Sequence, residues 1–191
     1  MKKIIPSFLT ILNLICGCMA IALAFQFQFE AVLILVCLGN FFDFLDGLSA
    51  RALDVVTNFG KHLDSITDVI TSGVVPGVVV YQLFKLSGNK VSDFEMSIFG
   101  YDLIFSLSPI SFIAFIITIG SAIRLSRFNT SIKIDDFIGL PTPANAIFFT
   151  ALPVLINSEF LTESKGIFLN NYFLIISVLF SVFLMNSQFR L

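Results

Sequence analysis

Long apolar segments separated by short polar ones dominate the chain. Each approaches the roughly 20 residues that a helix needs to cross a bilayer. Six segments fit, at about 7–25, 30–52, 62–86, 103–126, 140–158 and 171–188. In lipid every backbone N–H and C=O must be satisfied within the segment, so helices are expected. The pattern predicts an all-α integral membrane protein with six transmembrane helices in a single domain over residues 1–191.

Composition supports this membrane assignment. Of the 191 residues 57% are hydrophobic and 13% are charged, roughly half the usual charged share. The mean hydropathy is +0.95. A single soluble core of this size cannot bury so much apolar surface, so membrane lipids are the expected surroundings. The net charge is −2 and no basic stripe exists, so no nucleic-acid partner is expected.

Basic residues are distributed unequally between the two sides of the predicted bundle, and the side with more of them is expected to face the cytoplasm. Eight lie on one side: Lys2, Lys3, Arg51, Lys61, Arg124, Arg127, Lys133 and Arg190. Three lie on the other: Lys85, Lys90 and Lys165. The bias predicts that both termini are cytoplasmic, in a multi-pass protein of the cell membrane.

Acidic residues concentrate where the second predicted span ends and the third begins. Asp43 and Asp46 are three residues apart, and Asp64 and Asp68 are four apart, so each pair shares one helix face. The turn between the spans is short, which makes them antiparallel neighbours. The four carboxylates are therefore expected to converge in a pocket just inside the membrane, on its cytoplasmic side.

Four clustered carboxylates at this depth need counter-charges, because each would cost several kcal/mol if left charged and unpaired. Oxygen ligands favour Mg²⁺ or Mn²⁺. Four carboxylates suit two such cations, and two-metal sites are suited to displacement at phosphorus. From the residues alone, an ion pathway in a channel or ion-coupled transporter stays open. It would spread acids across the membrane depth, whereas these acids cluster at one end.

The spacing D-x2-D-G-x2-A-R-x8-G-x3-D-x3-D, from Asp43 to Asp68, resembles the signature of the CDP-alcohol phosphotransferase family. This resemblance implies a bundle with a six-helix membrane core. It also implies transfer of a phosphoalcohol group from a CDP-linked donor to an acceptor hydroxyl, with release of CMP. Members often continue for one or two more helices, so the resemblance suggests a short or truncated member.

Three further stretches are similar to the membrane-embedded bacterial phosphatidylserine synthases of that family: IPSFLTILNLICG (5–17), RLSRFN (124–129) and FIGLPTPANA (137–146). The resemblance implies transfer of the phosphatidyl group from CDP-diacylglycerol to the hydroxyl of L-serine, giving phosphatidylserine and CMP in phospholipid biosynthesis. Glycerol 3-phosphate and inositol phosphate stay open as alternative acceptors. Ser7 and Asn145 depart from the subfamily pattern, which commonly has Asn and Ala there. A homodimer is also expected from the family.

The resemblance assigns roles residue by residue. Asp43, Asp46 and Asp64 would ligate one cation, and Asp43, Asp64 and Asp68 the other. Asp68 would also act as general base. The donor contacts would be Gly47, Arg51, Thr57, Thr10 and Asn13. Arg124 and Arg127 are candidates for binding the acceptor, or else anchors at lipid headgroups, and Asn129 is a further acceptor candidate.

Overall fold

A computed structural model describes residues 4–55, 57–88, 92–98, 101–130, 139–158 and 165–187. These ranges contain eight α-helices: α1 (Ile4–Phe25), α2 (Phe29–Ala52), α3 (Asn58–Asp68), α4 (Val75–Leu86), α5 (Ile116–Thr130), α6 (Thr142–Asn157), α7 (Lys165–Phe168) and α8 (Asn171–Asn186). A π-helical segment, Val69–Val74, joins α3 to α4, and a 3-10 segment, Pro109–Phe115, leads into α5.

Four helical stretches in the described part of the chain are long and apolar enough to cross a membrane: Ile5–Phe25, Phe29–Ala52, Asn58–Leu86 and Pro109–Phe128. The multi-pass prediction is thus supported for the first four spans. Helices α6 and α8 lie where the fifth and sixth spans were predicted. Each has 16 residues, which is shorter than the roughly 20 that a perpendicular span requires.

The described chain is all-helical apart from one hairpin before the fourth span, which the sequence did not predict. Strands β1 (Ser92–Ile98) and β2 (Tyr101–Leu107) form an antiparallel hairpin, with Ser92 opposite Leu107. Tyr, Ile and Phe in YDLIFSL favour strands. Proline favours the first turn of a helix, and the helix accordingly begins at Pro109 instead of near residue 103.

Helix α4 lies at the centre of the packing. One apolar cluster joins it to α1, α2 and α6: Ala20, Ala24, Phe29, Val32, Val36, Val75, Val78, Val79 and Ala146. A second joins it to the 3-10 segment, α5, α6 and α8: Val80, Tyr81, Leu83, Phe84, Ala114, Ile117, Phe149, Leu152, Ile156, Leu174 and Val178. Val74, at the end of the π-helical segment, packs against the first cluster, so the segment joins the bundle there.

The π-helical segment is stabilised by α5. Proline has no N–H, so Pro76 leaves the carbonyl of Ser72, four residues earlier, without its helical donor, and Ser121 Oγ of α5 donates to that carbonyl at 3.5 Å. Thr118 Oγ1 donates to the Gly73 carbonyl at 2.9 Å. A Cβ at Gly77 would lie 2.7 Å from Thr118 Oγ1, so glycine allows this close approach. Single-turn π segments often occur at functional sites, and this one directly follows Asp68.

Candidate functional site

The turn between α2 and α3 brings the acid-bearing helix ends to the same place. Asp54 has a left-handed backbone, with φ of 53°. The Asp54 N–H donates to the Arg51 carbonyl at 3.2 Å, and the Val55 N–H to the Ala50 carbonyl at 3.1 Å. This is the Schellman pattern of helix termination. Thr57 then caps α3, because its Oγ1 accepts from the Gly60 N–H at 3.0 Å.

Helix α1 supplies most of the packing around these two ends. It contacts both α2 and α3, whereas the direct contact between α2 and α3 is small. The expectation that the two acid-bearing helices pack directly as neighbours is therefore only partly met. The first helix has a larger part in the site than the sequence indicated.

Three of the four predicted carboxylates come together. Asp43, Asp64 and Asp68 each offer an oxygen, and these oxygens all lie within 4.8 Å of one another. All three residues are half-buried, and Asp64 Oδ1 has no hydrogen-bond partner within the described ranges. Mutual repulsion and lost hydration make this arrangement costly without a cation. The donor set consists of hard carboxylate oxygens, so it fits a divalent cation of the Mg²⁺ type.

Asp46 lies beside this group and has a different partner. Its side chain is buried, and Thr10 Oγ1 donates to Asp46 Oδ2 at 2.6 Å. Thr10 lies on α1, so the first helix fixes the orientation of this carboxylate. The predicted convergence of four acids appears as a group of three with a fourth held at its side.

A second contact from α1 reaches Asp68. Asn13 Nδ2 lies 3.5 Å from Asp68 Oδ1. On its other side, Asn13 Oδ1 accepts from Thr71 Oγ1 at 2.9 Å. Asn13 and Thr71 are fully buried. Sequence reasoning missed Thr71, although its position three residues after Asp68 places the two near one another on a helix.

A cavity of about 370 Å³ opens beside the acids. The residues that line it come from α1, α2, the α2–α3 turn, α3 and α5: Pro6, Ser7, Thr10, Asp46, Gly47, Ala50, Arg51, Val55, Thr57, Gly60, Lys61, Asp64 and Phe128. Five residues were predicted to bind the CDP-linked substrate. Four of them line this cavity, and the fifth, Asn13, contacts Asp68 instead. Lys61 and Phe128 had been given no donor role.

The cavity wall suits an anionic ligand. Arg51 and Lys61 add two positive charges beside Asp46 and Asp64. Arg51 Nε donates to the Gly47 carbonyl at 3.1 Å, which holds the side chain along α2. Within the described ranges, a Cβ at Gly47 would meet Arg51 Nη2 alone, at 4.0 Å. The glycine therefore leaves space where a ligand can approach the backbone closely.

The predicted acceptor contacts lie on α5. Arg124 is half-buried and Arg127 is exposed. Neither is among the residues that line the cavity, although their neighbour Phe128 is. The side chain of Asn129 lies outside the described residues. Asn145, the departure noted above, accepts from Ser181 Oγ at 2.5 Å, so it joins α6 to α8.

Comparison with known proteins shows which family the chain belongs to. The family model for CDP-alcohol phosphatidyltransferase matches residues 3–183. A CDP-diacylglycerol–serine O-phosphatidyltransferase of Bacillus subtilis is 31% identical over 158 residues, covering 80% of this chain and 79% of that protein. One of Methanocaldococcus jannaschii is 34% identical over 163 residues, covering 85% and 67%. One of Helicobacter pylori strain 26695 is 30% identical over 158 residues, covering 81% and 59%. The chain belongs to the CDP-alcohol phosphatidyltransferase family.

Proposed function

We propose that this protein transfers the phosphatidyl group from CDP-diacylglycerol to the hydroxyl of L-serine, giving phosphatidylserine and CMP. The carrying observation is the group of three carboxylates, Asp43, Asp64 and Asp68, beside a cavity with two basic residues. Family membership supports the chemistry, and the names of the relatives support serine as acceptor.

The donor would place its CDP group in the cavity and its acyl chains in lipid. Gly47 presents open backbone to the ligand, and the Arg51 guanidinium can pair with a phosphate oxygen. Thr10 and Thr57 lie on the wall of the same cavity and offer hydroxyls. The Thr10 hydroxyl already donates its hydrogen to Asp46. In a contact with CDP-diacylglycerol, its oxygen would therefore accept a hydrogen bond.

The four aspartates would hold two divalent cations, Mg²⁺ or Mn²⁺, with Asp43 and Asp64 shared between them. When bound, the cations neutralise charge on the phosphate oxygens and on the leaving CMP. Asp68 would accept the proton of the serine hydroxyl, and the serine oxygen would attack the phosphorus that carries diacylglycerol. Positioning of these groups and charge neutralisation supply most of the rate.

Acceptor binding and membrane orientation belong to the same proposal. Arg124 and Arg127, with Asn129, would bind the serine carboxylate on the cytoplasmic side. The distribution of basic residues supports cytoplasmic termini and a site that opens to the cytoplasm of the cell membrane. Two cytoplasmic termini require an even number of spans, with which the proposed six agree. Assembly as a homodimer is proposed from the family resemblance. Chemical cross-linking in membranes would test it, and capture of single chains only would contradict it.

Release of CMP by purified protein in detergent tests the proposed reaction. The protein receives CDP-diacylglycerol and Mn²⁺ or Mg²⁺, with L-serine, glycerol 3-phosphate or inositol phosphate in turn, and Asp68→Asn serves as control. We expect release with L-serine and none from the variant. Release with another acceptor alone would reject serine but keep the transferase. Folded, metal-binding protein that releases no CMP with any acceptor would reject the enzyme and favour ion transport.

A further inference from the structure

A series of hydrogen-bonding side chains runs from the π-helical segment through α1 to Asp68. Thr71 Oγ1 donates to Asn13 Oδ1 at 2.9 Å, and Asn13 Nδ2 faces Asp68 Oδ1 at 3.5 Å. Asn13 and Thr71 both have 0% of their surface exposed. Water therefore cannot replace either partner at low cost, since a buried polar group left without its hydrogen bond is costly.

The two neighbours of Asn13 in this series, Asp68 and Thr71, are compatible with one orientation of its amide. An ionised carboxylate is only an acceptor, so Asn13 must present its NH₂ group to Asp68. Its carbonyl oxygen then faces Thr71, and only a donor is compatible with it there. The contact to Asp68 is long at 3.5 Å, whereas the bond from Thr71 is 2.9 Å. Because a hydroxyl can accept as well as donate, it is the carboxylate that selects this orientation, and the Thr71 hydroxyl supplies the donor that the buried amide oxygen then needs.

Close packing restricts other positions of these side chains. A Cβ at Gly39 would lie 2.7 Å from Asn13 Oδ1 and 3.0 Å from Thr71 Cγ2. A Cβ at Gly17 would lie 2.7 Å from Thr71 Oγ1. All three distances are shorter than ordinary contacts, so α1, α2 and the π-helical segment meet around the pair as closely as glycine allows.

We propose that Thr71 is a positioning residue that acts through Asn13 on the carboxylate of Asp68. It keeps the Asn13 NH₂ group directed at that carboxylate and so keeps the acid oriented for cation binding and for the transfer. The role in transfer rests on the proposed function, whereas the role in cation binding does not. Without the hydroxyl, the buried amide oxygen of Asn13 loses its donor, and the side chain can then leave the position in which its NH₂ group faces Asp68.

Binding of Mn²⁺ to purified protein without lipid donor tests this role independently of turnover. Electron paramagnetic resonance measures free Mn²⁺ during a titration. Thr71→Val keeps the shape but removes the donor, whereas Thr71→Ser keeps the donor. Loss of a residue that orients a metal ligand typically costs about tenfold to hundredfold in affinity or activity. We expect that loss in Thr71→Val, for both Mn²⁺ affinity and kcat, and near-wild-type values in Thr71→Ser.

A double-mutant cycle separates positioning from packing. If Thr71 acts through Asn13, Thr71→Val should weaken Mn²⁺ binding little further in an Asn13→Ala background. Wild-type Mn²⁺ affinity in Thr71→Val, or a loss that adds fully to that of Asn13→Ala, would overturn the proposal. Thr71→Ala, which adds no bulk, replaces Thr71→Val if the latter does not fold. The effects of the Thr71 and Asn13 substitutions on Mn²⁺ binding could also be coupled while the wild-type protein releases no CMP. That result would keep the positioning role of Thr71 and reject the proposed reaction.

Discussion

Two glycines on α2 provide a matched pair of substitutions with opposite expectations. Alanine is favoured over glycine in a helix by about 0.5–1 kcal/mol, and this gain applies to both Gly47→Ala and Gly39→Ala. Among the residues that the structure describes, a Cβ at Gly47 would meet just Arg51 Nη2, at 4.0 Å, whereas one at Gly39 would lie 2.7 Å from Asn13 Oδ1. Overpacking of that kind costs about 1–3 kcal/mol. Since the helix preference cancels, Gly39→Ala should be less stable than Gly47→Ala by about that amount.

Activity should separate the pair in a different way. The alanine methyl at position 47 would project into the cavity, and a displacement of about 1 Å at a reacting group can cost about a hundredfold in rate. We expect kcat/KM for CDP-diacylglycerol to fall about tenfold to hundredfold in Gly47→Ala, although the protein is at least as stable as wild type. Thermal unfolding in detergent measures stability, and CMP release measures turnover.

Gly166→Ala is the control for both assays, because a Cβ there meets no atom of the described residues within 4 Å and the residue lies on α7, outside the cavity lining. It should leave turnover unchanged. Wild-type turnover in Gly47→Ala would refute the assignment of the cavity to the donor. Equal stability of Gly47→Ala and Gly39→Ala would refute the close contact of α2 with Asn13.

Three further predictions concern the acids and their cations. Asp68→Asn should lower turnover by about a hundredfold to ten-thousandfold, the usual contribution of a general base. Asp54→Asn should leave turnover unchanged, because Asp54 is exposed and Asn also tolerates its left-handed backbone. Equal CMP release by the two variants would contradict the assignment of Asp68 as general base. Chelation by EDTA should stop CMP release, and added Mg²⁺ or Mn²⁺ should restore it; full activity in chelator would remove the need for a cation. Thr10→Val should raise the Mn²⁺ concentration for half-maximal CMP release, because it removes the hydrogen bond to Asp46 and a hydrogen bond to a charged group contributes about 1.5–3 kcal/mol. Thr10→Ser keeps the hydroxyl and should not raise it. Identical Mn²⁺ curves for the two variants would contradict a role for the Thr10–Asp46 hydrogen bond.

The sequence predicted the acid cluster well because local spacing determines it. Residues three and four apart share a helix face whatever else the chain does. The short turn then brings Asp43 near Asp64 and Asp68. The turn also contains its own termination signal, since Asp54 tolerates the left-handed backbone that ends α2.

The contribution of α1 could not be predicted in the same way. The contacts from Thr10 to Asp46 and from Asn13 to Asp68 join residues 36 and 55 positions apart. They depend on how closely α1 approaches the acid-bearing helices. That distance is set by small residues such as Gly39, whose consequences appear only once three helices are assembled.

The boundaries of the later spans were the least predictable part of the fold. Hydrophobicity alone does not distinguish a strand such as Tyr101–Leu107 from the first turns of a membrane helix. Pro109 carried the better signal, because proline favours a helix start. Helices α6 and α8 lie where the fifth and sixth spans were predicted but are shorter than expected. An apolar run predicts the position of a helix better than its length.

Transfer of labelled serine into lipid tests the central claim most directly. Purified protein in detergent would receive CDP-diacylglycerol, Mn²⁺ and radiolabelled L-serine, and the organic extract would be separated by lipid class. The account predicts labelled phosphatidylserine, in amounts equal to the CMP released, and none from Asp68→Asn. CMP release without label in lipid, or the same label from Asp68→Asn, would contradict it.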